Sequence, residues 1–395
     1  MSNTPYIGRR VAVGIGKEST RGTVATAAYW EKQVNVKIDP TLKELHTGSA
    51  FGSIEDTQDS FGIQLTSKLD IDMNLKDKSL GLWLLSLFGK DTVATHAGET
   101  VVYDHTFSVE ETNQHQSLTV TSHDPIQDYQ YALGMIDSMQ IDVEIGKLST
   151  AKVTLMAKGG STIPVTQTGT LNNTTSVTGL TDTTQIRLGS PVSGTGIPAN
   201  TTVASIDSAT SLTLSQAATT TGAQSLTFTD GIVSPSFISE NYFLPQMGTY
   251  KDADTAAGLA GASAKKIKKL SLKIAKNLET DMVLGSINPN DYLNKQFVVT
   301  GSIESFFENE SDFKTGYLAD GYRAMLLDLK NTDVTIGTAA NPELQIQMNR
   351  VKIETLARDL GNNNVVKQTV TFKADWDVTT SQMLSMILTN LVTSY

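Results

Sequence analysis

The five histidines are the first residues in this sequence that could carry acid–base or metal chemistry. They are His46, His96, His105, His115 and His123. No two of them have the spacing of a metal-binding pair on a helix. His105 adjoins Asp104 and His123 adjoins Asp124, but neighbours on a strand point to opposite faces, so neither pair forms a ligand set. We therefore interpret the histidines as surface residues.

Two further patterns resemble ligand-binding loops without completing them. In Gly14-Ile15-Gly16-Lys17, Glu18 stands where a phosphate-binding loop needs Ser or Thr, and Val11 stands where it needs Gly. We interpret this segment as part of a flexible N-terminal arm. Glu308, Glu310 and Asp312 lack the glycine and the spacing of a calcium loop, which favours a solvated turn.

Cysteine is absent, which excludes disulfides, thiolate metal sites and cysteine nucleophiles. Together with the incomplete motifs, this predicts no catalytic residue, no metal, no cofactor and no enzymatic activity. The net charge of −10 disfavours tight binding of DNA, since the main basic cluster is the short run Lys265, Lys266, Lys268 and Lys269. We expect no signal peptide, and the longest apolar stretch, Leu80–Phe88, is too short to span a bilayer.

The elements that hold these residues are predicted to be mainly strands. The chain of 395 residues is rich in Ser, Thr, Asn and Gly, and only 18% of its residues are charged. This composition favours β structure with many turns. Residues 161–230 differ from their surroundings because they carry almost no charge and a single aromatic residue, Phe228. Alternating segments within them predict a small β domain rather than a flexible linker.

Removing that segment reveals an internal repeat in the order strand, strand, helix, strand, strand. The matched segments are Val34–Ile38 with Leu270–Ile274, Leu65–Asp70 with Val299–Glu304, Leu80–Phe88 with Tyr317–Leu329, Ile136–Asp142 with Met348–Glu354, and Val153–Ala157 with Val370–Ala374. The shared order predicts a duplicated fold, with a helix over Leu80–Phe88 and a second over Tyr317–Leu329.

The repeated strands alternate between apolar and polar residues. Leu69, Ile71 and Met73 share one face of a strand, and Asp70 and Asp72 lie on the other. Period two with one polar face is typical of an antiparallel sheet that is wet on one side. The helix of each copy is expected to cover the dry face.

Two stretches of the chain stand out, namely Gly16–Thr23 and Asn277–Thr280, the second followed by Leu284–Ser286 and then by Val299–Glu304. They resemble a family of tail tube proteins from long-tailed, siphovirus-type bacteriophages. Residues 179–213 resemble small β modules of phage structural proteins. The resemblance implies rings that stack into a hollow tube, in which six tube folds contribute about 24 strands to an inner barrel. Two tube folds in one chain would make a ring of three chains, a pseudo-hexamer.

The predicted fold is therefore mainly β. It comprises two tube folds, each a β-sandwich or half-barrel with a packed helix, and a small inserted all-β domain. The expected divisions are an N-terminal arm (1–30), a first tube domain (31–160), the insert (161–230) and a second tube domain (231–395). The insert is expected to project outward, since a domain inside the tube would block passage.

One polar strand face of each copy is expected to line the lumen, with an outer surface as the alternative. The lumen-facing candidates are Gln64, Thr66, Lys68, Asp70, Asp72, Gln140, Asp142, Glu144, Lys367, Thr369 and Thr371. The resemblance implies that the partners are further copies of the chain, the tape-measure protein, tail terminator and tail tip proteins, and double-stranded DNA in transit. It also implies a place in the virion tail after assembly in the host cytoplasm. The alternative from another class is a multi-domain β adhesin or surface-binding module.

Overall fold

The chain folds mainly into antiparallel strands. A computed structural model describes residues 5–32, 34–48, 52, 54, 56–308, 313–361 and 365–395. The strands are β1 Ala12–Lys17, β2 Tyr29–Glu31, β3 Asn35–Gly48, β4 Thr57–Asn74, β5 Gly89–Thr95, β6 Tyr103–Val109, β7 Leu118–His123, β8 Tyr129–Glu144, β9 Thr150–Lys158, β10 Ser161–Thr162, β11 Val165–Asn172, β12 Ser176–Val177, β13 Val192–Gly194, β14 Val203–Ser208, β15 Ser211–Leu214, β16 Thr221–Phe228, β17 Gly248–Ala253, β18 Lys269–Ala275, β19 Glu279–Asp281, β20 Asp291–Leu293, β21 Val298–Phe306, β22 Tyr322–Lys330, β23 Glu343–Asp359, β24 Lys367–Ala374 and β25 Ser385–Asn390.

Helices are few and short. The α-helices are α1 Ser79–Phe88 and α2 Lys314–Leu318, and single 3-10 turns lie at Gly8–Arg10, Pro245–Met247 and Ala256–Leu259. Within the described residues, no helix is both long enough and apolar enough to cross a membrane.

Eight strands form one uninterrupted antiparallel run in the order β3-β4-β9-β8-β18-β21-β24-β23. The first four belong to the N-terminal half of the chain and the last four to the C-terminal half. The halves meet where β8 pairs with β18, with Ile141 opposite Leu272. The chain therefore carries two similar four-stranded sheets joined edge to edge.

The two halves share irregularities as well as strand order. A bulge interrupts the β8–β9 ladder at Asp137, and an equivalent bulge interrupts the β23–β24 ladder at Glu354. Farther along, β7 pairs with β8 and β22 pairs with β23, and each of these ladders also shifts register once. These landmarks align Ile136–Asp142 with 353–359, so the predicted match to Met348–Glu354 was wrong by five residues. The ladders align Val36 with Leu270 and Ile71 with Ile303, so the predicted matches of Val34–Ile38 and Leu65–Asp70 were each wrong by two residues.

One of the two predicted helices forms. Helix α1 spans Ser79–Phe88, and all ten of its residues are buried against both halves of the apolar core. The predicted helix over Tyr317–Leu329 was wrong, because residues 322–330 form strand β22. Leu327 and Leu329 are buried at strand spacing, and pairing with β17 and β23 on either side stabilises the extended form.

The N-terminal segment is part of the core rather than a flexible arm. Strand β1 pairs with β2 and β7, and Val13 and Ile15 are fully buried. Gly14 packs so closely on Trp30 that a larger residue would overlap the indole ring. The interpretation of residues 14–17 as part of an arm was therefore wrong, since their glycines permit close packing of a buried strand.

Residues 163–231 form two three-stranded sheets around an apolar cluster of their own. The sheets have the orders β11-β16-β13 and β12-β15-β14, and Phe228 and Leu212 are fully buried between them. The segment begins and ends at one place, where the Gly231 amide donates to the Ile163 carbonyl at 2.6 Å.

Candidate functional surface

One side of the eight-stranded run is polar from edge to edge. Residues that pair across neighbouring strands point to the same side of a sheet, so the ladders identify this side directly. One row across it reads Asp72, Lys152, Gln140, Lys273, Thr300 and Lys373. We call this side the polar face. The opposite side packs on the core, where Ile71, Val153 and Leu272 are fully buried.

All eleven lumen-facing candidates lie on the polar face. Thr66, Lys68, Asp70 and Asp72 come from β4, Gln140, Asp142 and Glu144 from β8, and Lys367, Thr369 and Thr371 from β24. Gln64 lies on the same strand face but beyond the end of the β4–β9 ladder, where it faces only Lys43 of β3. The structure therefore brings residues from both halves onto one continuous surface.

The polar face is mixed in charge rather than acidic. Its lysines are Lys37, Lys43, Lys68, Lys152, Lys158, Lys269, Lys273, Lys352, Lys367 and Lys373, and its acidic residues are Asp39, Asp70, Asp72, Asp142, Glu144, Glu304 and Asp359. Most of these lysines were not predicted for this surface. They lie on β3, β9, β18 and β23, whereas the predicted residues come from β4, β8 and β24. Extending the period-two pattern of β9 and β18 would have found Lys152 and Lys273.

Opposite charges on this face lie next to each other. Lys152 is 3.8 Å from Asp72, Lys269 is 3.4 Å from Glu144, and Lys367 is 2.9 Å from Glu304. Exposed pairs of this kind add little to stability. Their effect is to place opposite charges side by side at several points of the face, whereas the row from Lys152 through Lys273 to Lys373 carries lysines as its only charged residues.

These contacts also fix the charge state of the acidic residues. Partial burial pushes the pKa of Asp70 up, but the Thr154 hydroxyl, which donates to it at 2.6 Å, and the neighbouring Lys68 outweigh this and lower the pKa. The hydrogen bond from Lys147, with help from Lys269, lowers the pKa of Glu144. Both groups are therefore ionised at neutral pH, and the mixed pattern of charges persists.

Two edges of the eight-stranded run have no neighbour over part of their length. In the described part of the chain, β3 pairs only with β4. Strand β23 is flanked on its second side by β22 only as far as Lys352, which faces Tyr322. From Ile353 to Asp359 its described ladder partner is β24 alone. Unpaired strand edges are templates for pairing with another chain.

The histidines lie apart from one another in the fold. Among the described residues, no group of three or more histidine or acidic side chains could hold a metal ion. Glu310 and Asp312 lie outside the described residues. The expectation of surface histidines was wrong for His105 and His115, which are buried. His105 lies 2.8 Å from the Asp91 carboxylate and 2.8 Å from the Val392 carbonyl, and so ties the C-terminal segment to the β5–β6 hairpin.

Comparison with known proteins places these features in a family. The sequence model of the phage tail tube protein family matches residues 8–232, which is more than half of the chain. That match covers the first half of the eight-stranded run and residues 163–231. No curated protein matches the chain. Because the family match spans most of the sequence and the fold is mainly β, the chain belongs to the phage tail tube proteins, structural components of the virion tail.

Proposed function

We propose that three copies of this chain close into a ring, and that the rings stack into the hollow tube of a siphovirus-type tail. The eight-stranded run is the observation that carries the proposal. Three such runs joined edge to edge make a barrel of about 24 strands, and barrels with many strands leave an aqueous channel. The three-chain ring is therefore a pseudo-hexamer of six similar four-stranded sheets.

The eight-stranded run has one polar and one apolar side, and this favours a wide barrel with a water-filled lumen over a small barrel filled by side chains. A closed barrel of about eight strands has its interior filled by side chains. The polar face carries paired charges such as Lys152 and Asp72, and a packed interior would strip water from them at high cost. The same face can line a wide, water-filled lumen without that cost.

The mixed polar face suits a passive conduit. A basic lumen would hold DNA through its phosphates, and an acidic one would repel it along its whole length. Interspersed charges such as Lys152 beside Asp72 and Lys269 beside Glu144 avoid both extremes. In this proposal the tube encloses the tape-measure protein during assembly in the host cytoplasm, contacts tail terminator and tip proteins at its ends, and conducts double-stranded DNA at ejection.

The chain divides, in this proposal, into two tube domains (31–160 and 231–395) with the insert (161–230) between them. The separate apolar cluster around Leu212 and Phe228 supports this division. Arg187 of the insert donates to the Ile126 carbonyl and lies 3.5 Å from Asp128, both in the β7–β8 connection. This attachment lies beside the Tyr129 end of β8, whereas the polar-face residues of β8 are Gln140, Asp142 and Glu144, which supports an outward position of the insert.

Reversing the charge of the proposed lumen tests its role. Replacing Asp70, Asp72, Asp142 and Glu144 with Lys should leave ring assembly intact and slow DNA ejection, because the polar face becomes strongly basic. The matched control carries the same four charge reversals at exposed positions off the polar face, namely Glu111, Asp207, Asp254 and Asp333. Ejection that is equally fast from tails containing either variant would contradict the lumen assignment.

A sugar-binding or surface-binding adhesin is the alternative from another class. Such modules use exposed Trp or Tyr, but residues 161–230 contain neither, and their one aromatic residue, Phe228, is fully buried. Negative-stain electron microscopy of the purified protein separates the two functions. Rings or tubes support the tube, and dispersed monomers that bind a glycan support the adhesin.

A further inference from the structure

The chain contains a template for its own subunit junction. Within one chain the two four-stranded sheets join where β8 pairs with β18, with Val143 opposite Leu270 and Asp142 opposite Ser271. Among the described residues, the outer edge of β3 and the outer edge of β23 from Ile353 to Asp359 have no equivalent partner. If successive sheets of the ring are related by the same operation, β3 and β23 of neighbouring copies meet as β18 and β8 do.

The ladders fix which residues correspond between the halves. Val153 faces Ile71, which faces Val36, and Val370 faces Ile303, which faces Leu270. Val36 of β3 therefore takes the place of Leu270 of β18.

The shared bulge fixes the other side of the junction. Asp137 of β8 takes the place of Glu354 of β23, since the same ladder irregularity surrounds both. Counting onward from the bulge, Val143 corresponds to Leu360 and Asp142 to Asp359. The register of the junction between neighbouring copies thus follows from residue correspondences inside a single chain.

We propose that β3 of one copy pairs antiparallel with β23 of the next copy, with Val36 opposite Leu360, Lys37 opposite Asp359 and Ile38 opposite Arg358. This inference rests on the proposed ring and names the surface by which it closes. The occupant of each free edge is a second copy of this chain, because the β8–β18 junction already shows how one half receives the other.

The chemistry of the two edges fits this register. The Lys37 side chain is 71% exposed and has only its same-strand neighbour Asp39 as an ion-pair partner among the described residues. The proposed register sets it directly opposite the acidic Asp359, and opposite charges at facing positions stabilise strand pairs. A shift of two residues would instead set Lys37 opposite Ala357 or Gly361, where no charge faces it.

The apolar side of the junction fits at Val36 and Leu360, and the guanidinium of Arg358, which comes opposite Ile38, lies 4.0 Å over the Phe307 ring. Leu360 is 72% exposed in the single chain, although it follows directly on strand β23. Val36 and Ile38 are partly buried at the rim of the core. Setting Leu360 opposite Val36 extends the apolar side across the junction, as Val143 and Leu270 do within the chain. Pro40 has no N–H, so the main contact is placed at Val36, Lys37 and Ile38.

Single cysteines test the junction cleanly because the natural chain has none. The variants Lys37→Cys and Asp359→Cys are prepared separately, mixed in equal amounts under conditions that form tubes, and oxidised. Facing strand positions lie within the range that a disulfide can span. The expected result is a covalent dimer on a denaturing gel from the mixture, and little or none from either variant alone.

Off-register and intrachain pairs serve as controls. Mixing Lys37→Cys with Ala357→Cys should give at least tenfold less dimer. A chain carrying both Asp142→Cys and Ser271→Cys should form an intrachain disulfide, since these residues face each other in the template. Tubes that form without the Lys37–Asp359 cross-link, or with the Ala357 cross-link favoured, overturn this register and leave the proposed tube standing. Absence of any ring or tube from the unmodified chain overturns the proposed function itself.

A charge exchange between the two edges provides a second test of the junction, and it needs no oxidation. Lys37→Asp should reduce ring formation several-fold, because it sets a carboxylate opposite Asp359 of the next copy as well as opposite Asp70 of its own chain. Adding Asp359→Lys should restore part of the loss, since the new lysine also faces Lys367 of its own chain. Restoration by Asp359→Lys supports the facing pair, whereas failure to restore assembly in a soluble, folded double variant contradicts it. Circular dichroism and thermal melting confirm that each variant is folded.

Discussion

Asp137 and Glu354 occupy equivalent β-bulges in the two halves of the chain. Each is the unpaired residue between two ladder positions of its half, Ile136–Leu155 and Ser138–Thr154 in the first, and Ile353–Phe372 and Thr355–Thr371 in the second. A bulge bends a strand and sharpens its twist. Its recurrence indicates that both sheets have the same curvature, which successive segments of one barrel wall require.

The first prediction concerns this bulge. Deleting Glu354 should impair ring formation, because it removes the bend and the extra twist that the bulge gives to β23. Ile353 stays opposite Phe372 and Thr355 stays opposite Thr371, so the side chains of β23 keep their faces. Glu354→Ala keeps the bulge and should assemble normally. Rings formed by the deletion variant as readily as by Glu354→Ala, seen by electron microscopy, would show that the curvature at this bulge does not matter.

The second prediction concerns the insert. Replacing residues 164–230 by a short Gly-Ser linker should leave ring and tube assembly intact, because the Ile163 carbonyl and the Gly231 amide already meet at 2.6 Å. A loop change of this kind costs little entropy. The matched control is Arg187→Ala in the full chain, which removes the contacts of the insert with Ile126 and Asp128 without removing the insert. An insoluble or unassembled shortened protein would mean that the insert belongs to the core fold.

The sequence predicted the repeat, the first helix and the polar strand faces because each is a local pattern. Alternation in β4 and β8 is read from consecutive residues, and the apolar run at Leu80–Phe88 marks a buried helix. The second helix was wrong because the spacing of Tyr322, Leu326 and Leu329 fits a helix, whereas the neighbours β17 and β23 decide for a strand. Such neighbours lie far away in sequence.

The candidate surface could be predicted only in part for the same reason. Each predicted residue lies on a strand whose own alternation reveals its face. The mixed charge of the surface depends instead on which strands are adjacent, as with Lys152 beside Asp72 and Lys269 beside Glu144. The bulges at Asp137 and Glu354 set the register in which the two halves correspond. The alternation of apolar and polar residues in a single sequence does not reveal where these bulges lie.

The third prediction concerns Lys276, a buried lysine where the two halves meet. Only 1% of it is exposed, and its ammonium donates to the Ser86 carbonyl at the end of α1 at 3.0 Å. Burial foremost, and then the charge of Arg21, lower its pKa to about 7. Between pH 7 and the ordinary lysine pKa, the unfolded chain therefore binds more protons than the folded chain, and this residue makes stability rise with pH.

Lys276→Met should remove that rise. The difference in unfolding free energy between the natural chain and the variant should change by up to about 1.4 kcal/mol per pH unit from pH 7 to 10. Chemical denaturation at a series of pH values measures it. Lys295→Met, at an exposed lysine, is the control and should keep the natural slope. An unchanged slope in Lys276→Met would show that this lysine is not desolvated in the folded chain.

The number of chains in a ring tests the central claim most directly. Native mass spectrometry of isolated rings, combined with the rotational symmetry of averaged tube images, gives that number. The account predicts a mass of about 128 kDa, three times the 42.5 kDa of the chain, and threefold symmetry with a weaker sixfold repeat. Six identical chains related by true sixfold symmetry would contradict it, because eight strands from each would build a far wider barrel.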